Sequence, residues 1–117
     1  NNLSLNDIAL VGFSQGCMIS LQTALKKRDK IKCLIGYSGK ILNIKHLNQN
    51  INSKPEIFLM HGDKDAVVPI NFLLEAKEFF NKNNYTIQTK IFENCEHRIP
   101  QEGSSLGLEY IRNNLYK

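Results

Sequence analysis

The feature that most constrains this chain is Gly12-Phe13-Ser14-Gln15-Gly16, set between two apolar segments of different kinds. Before it, Ile8-Ala9-Leu10-Val11 is a short uninterrupted apolar run, the pattern of a strand covered on both faces. After it, Met18-Ile19-Ser20-Leu21-Gln22-Thr23-Ala24-Leu25 reads as a mostly buried helix. Strand, sharp turn and helix around Gly-x-Ser-x-Gly form the context of a nucleophile elbow, in which the serine hydroxyl projects above the edge of a sheet. Such a turn predicts no room for a Cβ at Gly12 or Gly16, because strand and helix backbones pass close together. It also predicts a strained backbone at Ser14. Alone, the pattern is equally that of an ordinary glycine-rich loop, and the downstream residues separate the two readings.

The rest of the chain alternates strands with helices. The first strand is expected over Asp7–Phe13 and the first helix from Gly16 to about Lys27. A second strand follows over Ile31–Tyr37, stopped by Ser38-Gly39. The polar stretch Lys40–Lys54 reads as a loop with one helical turn. Pro55 introduces a third strand, Glu56–His61, and Gly62–Pro69 is the loop after it. Asn71 is the expected N-cap of a helix whose apolar face is Phe72, Leu73, Ala76, Phe79 and Phe80, with the phenylalanines serving the core. Tyr85–Phe92 alternates, which places it near a sheet edge. His97 lies in the loop Glu93–Pro100. Ser104 or Ser105 is expected to cap a last helix with Leu108, Ile111 and Leu115 on one face. The order predicts one domain of the α/β class: a parallel sheet of about four strands with helices on both faces. A chain of 117 residues can bury a core of that size.

In such sheets the working residues collect in loops at the carboxyl ends of the strands. Ser14, Asp65 and His97 each follow a predicted strand, 51 and 32 residues apart in that order. A serine hydroxyl is a poor nucleophile at neutral pH and needs a base within hydrogen-bond reach. The base in turn needs a carboxylate to fix its tautomer and stabilise its charge. The chain order Ser, Asp, His is the one α/β-hydrolases use. Asp63 is a rival to Asp65, with bonding of loop N–H groups as its alternative role. His61 is expected to pack, or to bond the elbow region, and His46 to face solvent. Cys17 reads as a small buried hydrophobe. No His/Cys/Asp cluster has metal-ligand spacing, so no metal is expected.

Gly12-Phe13-Ser14-Gln15-Gly16, then His61-Gly62-Asp63-Lys64-Asp65-Ala66-Val67-Val68-Pro69, then His97 before a terminal helix, resemble the phospholipase/carboxylesterase family of α/β-hydrolases, which includes acyl-protein thioesterases. The resemblance covers essentially the whole chain. It implies Ser14 as nucleophile, Asp65 rather than Asp63 as acid, His97 as base and the backbone N–H of Gln15 as one oxyanion-hole donor. The implied substrate is a small-molecule carboxylic ester or thioester, cleaved through an acyl-enzyme without a cofactor. The departure from the family pattern lies upstream. The elbow begins at residue 12, whereas the family places several strands and the loop bearing a second oxyanion donor before it. The chain therefore corresponds to the C-terminal half of the domain, with the strand at 7–13 left as an apolar edge. That edge is expected to pair with a second copy or with a missing N-terminal half. The alternative is a truncated remnant that retains the triad residues and hydrolyses nothing.

Composition sets the remaining expectations. The net charge of +4 arises largely at Lys26, Lys27, Arg28, Lys30 and Lys32, which read as a solvated helix end. No interleaved aromatics accompany them, so nucleic acid is not an expected partner. No apolar run reaches the ~18 residues of a membrane span. The three cysteines lack C-x-x-C spacing and, with no signal peptide visible, point to a reducing, cytoplasmic setting without disulfides. The sequons Asn2-Leu3-Ser4 and Asn84-Tyr85-Thr86 then read as chance matches. The absence of an initiator Met marks the chain as processed, cut or incomplete.

Overall fold

A computed structural model describes residues 3–116, so the sequon at Asn2 lies outside the described residues. Strands β1 (Ala9–Phe13), β2 (Cys33–Tyr37), β3 (Glu56–Gly62) and β4 (Gln88–Phe92) alternate with helices α1 (Gln15–Lys26), α2 (Ile44–Asn48), α3 (Asn71–Lys82) and α4 (Gln101–Leu115). The four strands form one parallel sheet in the order β1-β2-β3-β4. Phe13 pairs with Tyr37, Tyr37 with Met60, and Gly62 with Phe92, so the carboxyl ends of all four strands lie along one rim. The α/β architecture is the one the alternation predicts, and β4 stands at an edge as its pattern indicates.

Side chains of a strand alternate between faces, and two cores result. On one face Leu34, Ile57 and Leu59 meet Leu21 and Leu25 of α1 and Leu73, Phe79 and Phe80 of α3. On the other, Ile35, Phe58 and Met60 meet Leu106, Tyr110 and Ile111 of α4. β2 is buried along its whole length and β3 is buried from Ile57 onward. Coverage on both faces is why these strands read as continuous apolar runs. β1 is the other edge. Its Val11 remains 52% exposed although its partner in β2, Ile35, is fully buried.

Several local expectations differ from the structure, and β2 and β4 begin at Cys33 and Gln88 rather than at Ile31 and Tyr85. The first strand is shorter, because Leu5–Asp7 forms a 3-10 turn in which the Asp7 carboxylate accepts the Ser4 N–H at 3.0 Å. Asn71 does not cap α3. The chain already turns at Pro69 and Ile70, whose carbonyls accept the N–H groups of Phe72 and Leu73, so Ile70 holds the cap position with a helical backbone. Phe72 is only half-buried and leaves the core to its neighbours.

The last helix starts at Gln101, not at Ser104 or Ser105, and turns Leu108 outward at 61% exposure. Its buried face is built on Gly103, Gly107 and Asn114. The Gly103 carbonyl accepts the Tyr37 hydroxyl proton at 2.7 Å, and a Cβ at Gly107 would collide with that hydroxyl. α4 approaches the sheet at these glycines with Leu106, Tyr110 and Ile111 packed beside them, so of the expected apolar face Ile111 meets the core and Leu108 does not.

Candidate active site

The rim carries the site. β1 ends at Phe13, and Ser14 follows with φ 55° and ψ −117° before α1 begins. A non-glycine residue in this region costs on the order of 1–3 kcal/mol and persists because its surroundings over-determine it. Ser14 N–H donates to the Tyr37 carbonyl at 2.8 Å, and its own carbonyl accepts the Met18 N–H at 3.1 Å, which fixes both ends of the turn. At Gly12 an added Cβ would lie 2.5 Å from the Gly16 carbonyl oxygen and 2.7 Å from Cys17 N, so no side chain fits. The same expectation fails at Gly16. It sits on the exposed first turn of α1, and a Cβ there would meet nothing within 4 Å among the described residues.

The loop after β3 supplies Asp65, whose side chain is fully buried. Its Oδ1 accepts the N–H groups of Val67 at 2.9 Å and Val68 at 2.8 Å, while Oδ2 lies 2.7 Å from His97 Nδ1. His97, in the loop after β4, places its Nε2 2.9 Å from Ser14 Oγ. A carboxylate only accepts, so Nδ1 carries the proton and donates to Asp65, which leaves Nε2 to accept from the serine hydroxyl. The Phe13 ring packs against the imidazole with centroids 5.0 Å apart. Ser14, Asp65 and His97, distant in sequence, thus form one hydrogen-bonded chain.

Two further residues build this geometry. His61 is buried at the end of β3 and bonds the acid loop, not the elbow as expected. Its Nε2 lies 2.7 Å from the Val68 carbonyl, an acceptor, so it carries the proton and donates. Val68 is thereby held on both sides, its N–H by Asp65 and its carbonyl by His61. Asp63 accepts the Cys95 N–H at 3.3 Å, the loop-bonding role weighed against that of an acid. Asp63 N–H donates to the Phe92 carbonyl at 3.0 Å and Lys64 N–H to the Cys95 carbonyl at 2.9 Å, joining the Asp65 loop to the His97 loop. The two loops run so close that a Cβ at Gly62 would lie 2.6 Å from the Glu96 carbonyl oxygen.

Burial of Asp65 pushes its carboxyl up. The hydrogen bonds from His97, Val68 and Val67, with the attraction of the imidazole, outweigh this and hold it below its ordinary value. A depressed folded value makes the carboxylate stabilising above its unfolded pKa of about 3.9, and that contribution disappears as pH falls through the folded value. Asp65→Asn is therefore expected to be less stable than the parent at about pH 7, with the gap closing below about pH 4. Urea unfolding of both proteins at each pH measures it. Cys17, three residues beyond Ser14, is no rival nucleophile, since burial pushes its thiol up to about 12. His46 faces solvent, and among the described residues no group of three His, Cys, Asp or Glu could hold a metal ion.

A cavity of about 500 Å³ opens beside Ser14, lined by Phe13, Gln15, Met18, Lys40, Val67, Val68 and Phe72. Nothing in the sequence marks Lys40 or Phe72 as lining residues, because one reads as the start of a polar loop and the other as core.

Residues 1–115 match the family model described as phospholipase/carboxylesterase. The chain belongs to this family. Acyl-protein thioesterase 1 of Saccharomyces cerevisiae is 34% identical over 116 residues, which are 92% of this chain and 50% of that protein. Esterase YpfH of Escherichia coli is 23% identical over 96% of this chain and 47% of its own length. Among solved structures, esterase PE8 superposes with a TM-score of 0.92 at 34% identity, covering 97% of this chain and 53% of that one. SOBER1 of Arabidopsis thaliana shares the fold at a TM-score of 0.91 and 19% identity, over 97% of this chain and 56% of its own. The chain thus spans about half the length of the family members it matches. Among the described residues no helix is long and apolar enough to cross a membrane.

Proposed function

We propose that this chain carries the catalytic triad of a serine hydrolase acting on carboxylic esters or thioesters. The observation that supports this reading is the continuous hydrogen-bonded chain from Asp65 through His97 to Ser14, ending at a strained serine that faces a cavity. Ser14 Oγ attacks the carbonyl carbon while His97 Nε2 takes its proton. Asp65 holds the imidazole in the required tautomer and stabilises its positive charge. The tetrahedral oxyanion accepts from the Gln15 N–H, a first-turn donor of α1 without an intrahelical partner. Collapse releases the alcohol or thiol with the proton from His97 and leaves Ser14 acylated. Water, deprotonated by the same nitrogen, then releases the acid. The chemistry requires no cofactor.

The chain corresponds, in this reading, to the C-terminal half of the hydrolase domain. A second oxyanion donor and the rest of the acyl pocket come from a segment that pairs with the free edge of β1, either a further half of the domain or a second copy. Exposed Val11 and Phe13 on that edge favour such pairing. One missing oxyanion donor costs about 10²–10³ in turnover, so the chain by itself is expected to acylate slowly. The competing reading is a folded remnant without activity.

A fluorophosphonate probe separates the two. Covalent labelling that maps to Ser14 and is absent from Ser14→Ala supports the hydrolase. No labelling, together with no release of 4-nitrophenol from 4-nitrophenyl acetate, supports the remnant.

A further inference from the structure

The cavity beside Ser14 mixes apolar walls with the polar groups of Ser14, Gln15 and Lys40. Phe13, Met18, Val67, Val68 and Phe72 supply its walls, and Lys40 is the one lining residue with a full charge. Lys40 follows the sharp turn at the end of β2, where Ser38 has φ 56°. Its Nζ stands 4.5 Å from the centroid of the Phe72 ring. A cation over an aromatic face is held there by the ring quadrupole, so the ammonium stays on the cavity wall. Among the described residues the ion pairs involve His61, Lys82, Lys90 and His97, and Lys40 has no carboxylate at ion-pair distance. Asp65, the acid nearest the reacting atoms, is buried and already bonded to His97 and to two backbone N–H groups.

From this arrangement we infer that Lys40 determines specificity, selecting esters or thioesters that carry an anionic group, a carboxylate or phosphate, on the portion lying in this cavity. A cation without a counter-ion among the described residues, set beside the apolar side chains of Phe13, Met18, Val67, Val68 and Phe72, attracts an anion more strongly than a fully solvated lysine does, because less water screens the pair. The apolar walls accept the carbon chain between the reacting carbonyl and that anion. The inference rests on the hydrolase reading only for the position of the reacting carbonyl at Ser14.

The test is a binding measurement, so it does not depend on turnover. Ser14→Ala in the 117-residue chain, labelled with ¹⁵N, is titrated with monomethyl glutarate and with methyl pentanoate, following the Gln15 and Lys40 amide resonances. The anionic ester is expected to bind about fivefold more tightly, the ratio a partly exposed ion pair provides. The preference should shrink in about 0.5 M salt, vanish in Ser14→Ala/Lys40→Met and persist in Ser14→Ala/Lys40→Arg. Equal affinity for the two esters, a preference that survives Lys40→Met, or no shift of these resonances with either ester overturns the inference. Labelling of Ser14 by fluorophosphonate in the parent chain judges the hydrolase reading separately.

Discussion

Replacing His97 with alanine is expected to slow ester hydrolysis by about 10⁴-fold or more, to the level of Ser14→Ala. Among the described residues the imidazole is the only base in hydrogen-bond contact with Ser14 Oγ, at 2.9 Å. Without it the hydroxyl must lose its proton to water, and the leaving group has no acid to protonate it. Because nucleophile and base act as a unit, the double variant Ser14→Ala/His97→Ala should be no worse than either single one. The readout is release of 4-nitrophenol from 4-nitrophenyl acetate for all three variants and, for His97→Ala against its parent, the rate of fluorophosphonate labelling of Ser14. A His97→Ala protein within tenfold of its parent would remove His97 from the mechanism. The substitution should leave the fold unchanged, since His97 sits on a loop and its partner Asp65 keeps two backbone donors.

The largest loss of stability is expected for Phe80→Ala, about 3–5 kcal/mol. The ring is fully buried on the α3 side of the sheet and packs edge-on against Phe79 and Tyr85, with centroids 5.2 and 5.0 Å away. Truncation forfeits the transfer of the ring from water, leaves a cavity and removes both aromatic contacts. Tyr85, whose hydroxyl donates to the Pro55 carbonyl at the start of β3, cannot move into the space without breaking that bond. Against a total of about 5–15 kcal/mol for a domain of this kind, the loss is a large fraction. Urea unfolding of parent and variant measures it. The effect extends to the site, because α3 begins with Asn71 and Phe72 directly after the loop that holds Asp65.

Much of this was legible from residue order. The continuous apolar runs of β2 and β3 identify central strands because a strand covered on both faces has no polar side, and the alternation of β4 marks an edge for the converse reason. What was not legible involves contacts that leave no periodic trace. α4 lies on the sheet through Gly103 and Gly107, so a search for spaced large hydrophobes finds Leu108, which points away. His61 reads as one more polar residue at a strand end, and its bond to the Val68 carbonyl seven residues later depends on how the loop folds back. Phe72 shares the helical spacing of the core phenylalanines, yet it lies at the first turn of α3, where the cavity replaces the core. Gly62 did carry a signal. A glycine between a buried histidine and a loop aspartate marks a close backbone approach, here to Glu96.

The residues Gly12-Phe13-Ser14-Gln15-Gly16 by themselves determined the strand–turn–helix and its serine. The alternation of elements determined a parallel sheet, which must send Ser14, Asp65 and His97 to the same rim. Only the tertiary structure decided that they meet. Strand order leaves side chains on a shared rim many ångströms apart. The last approach, to 2.9 and 2.7 Å, depends on loop conformations set by bonds between segments remote in sequence, with Asp63 tied to Cys95, Lys64 to Cys95 and His61 to Val68. The same holds for the elbow. Its sequence names the serine, but the left-handed backbone that presents it is held by the Tyr37 carbonyl on the neighbouring strand. A strained conformation persists only where neighbours outweigh its cost, and the folded chain alone brings those neighbours together.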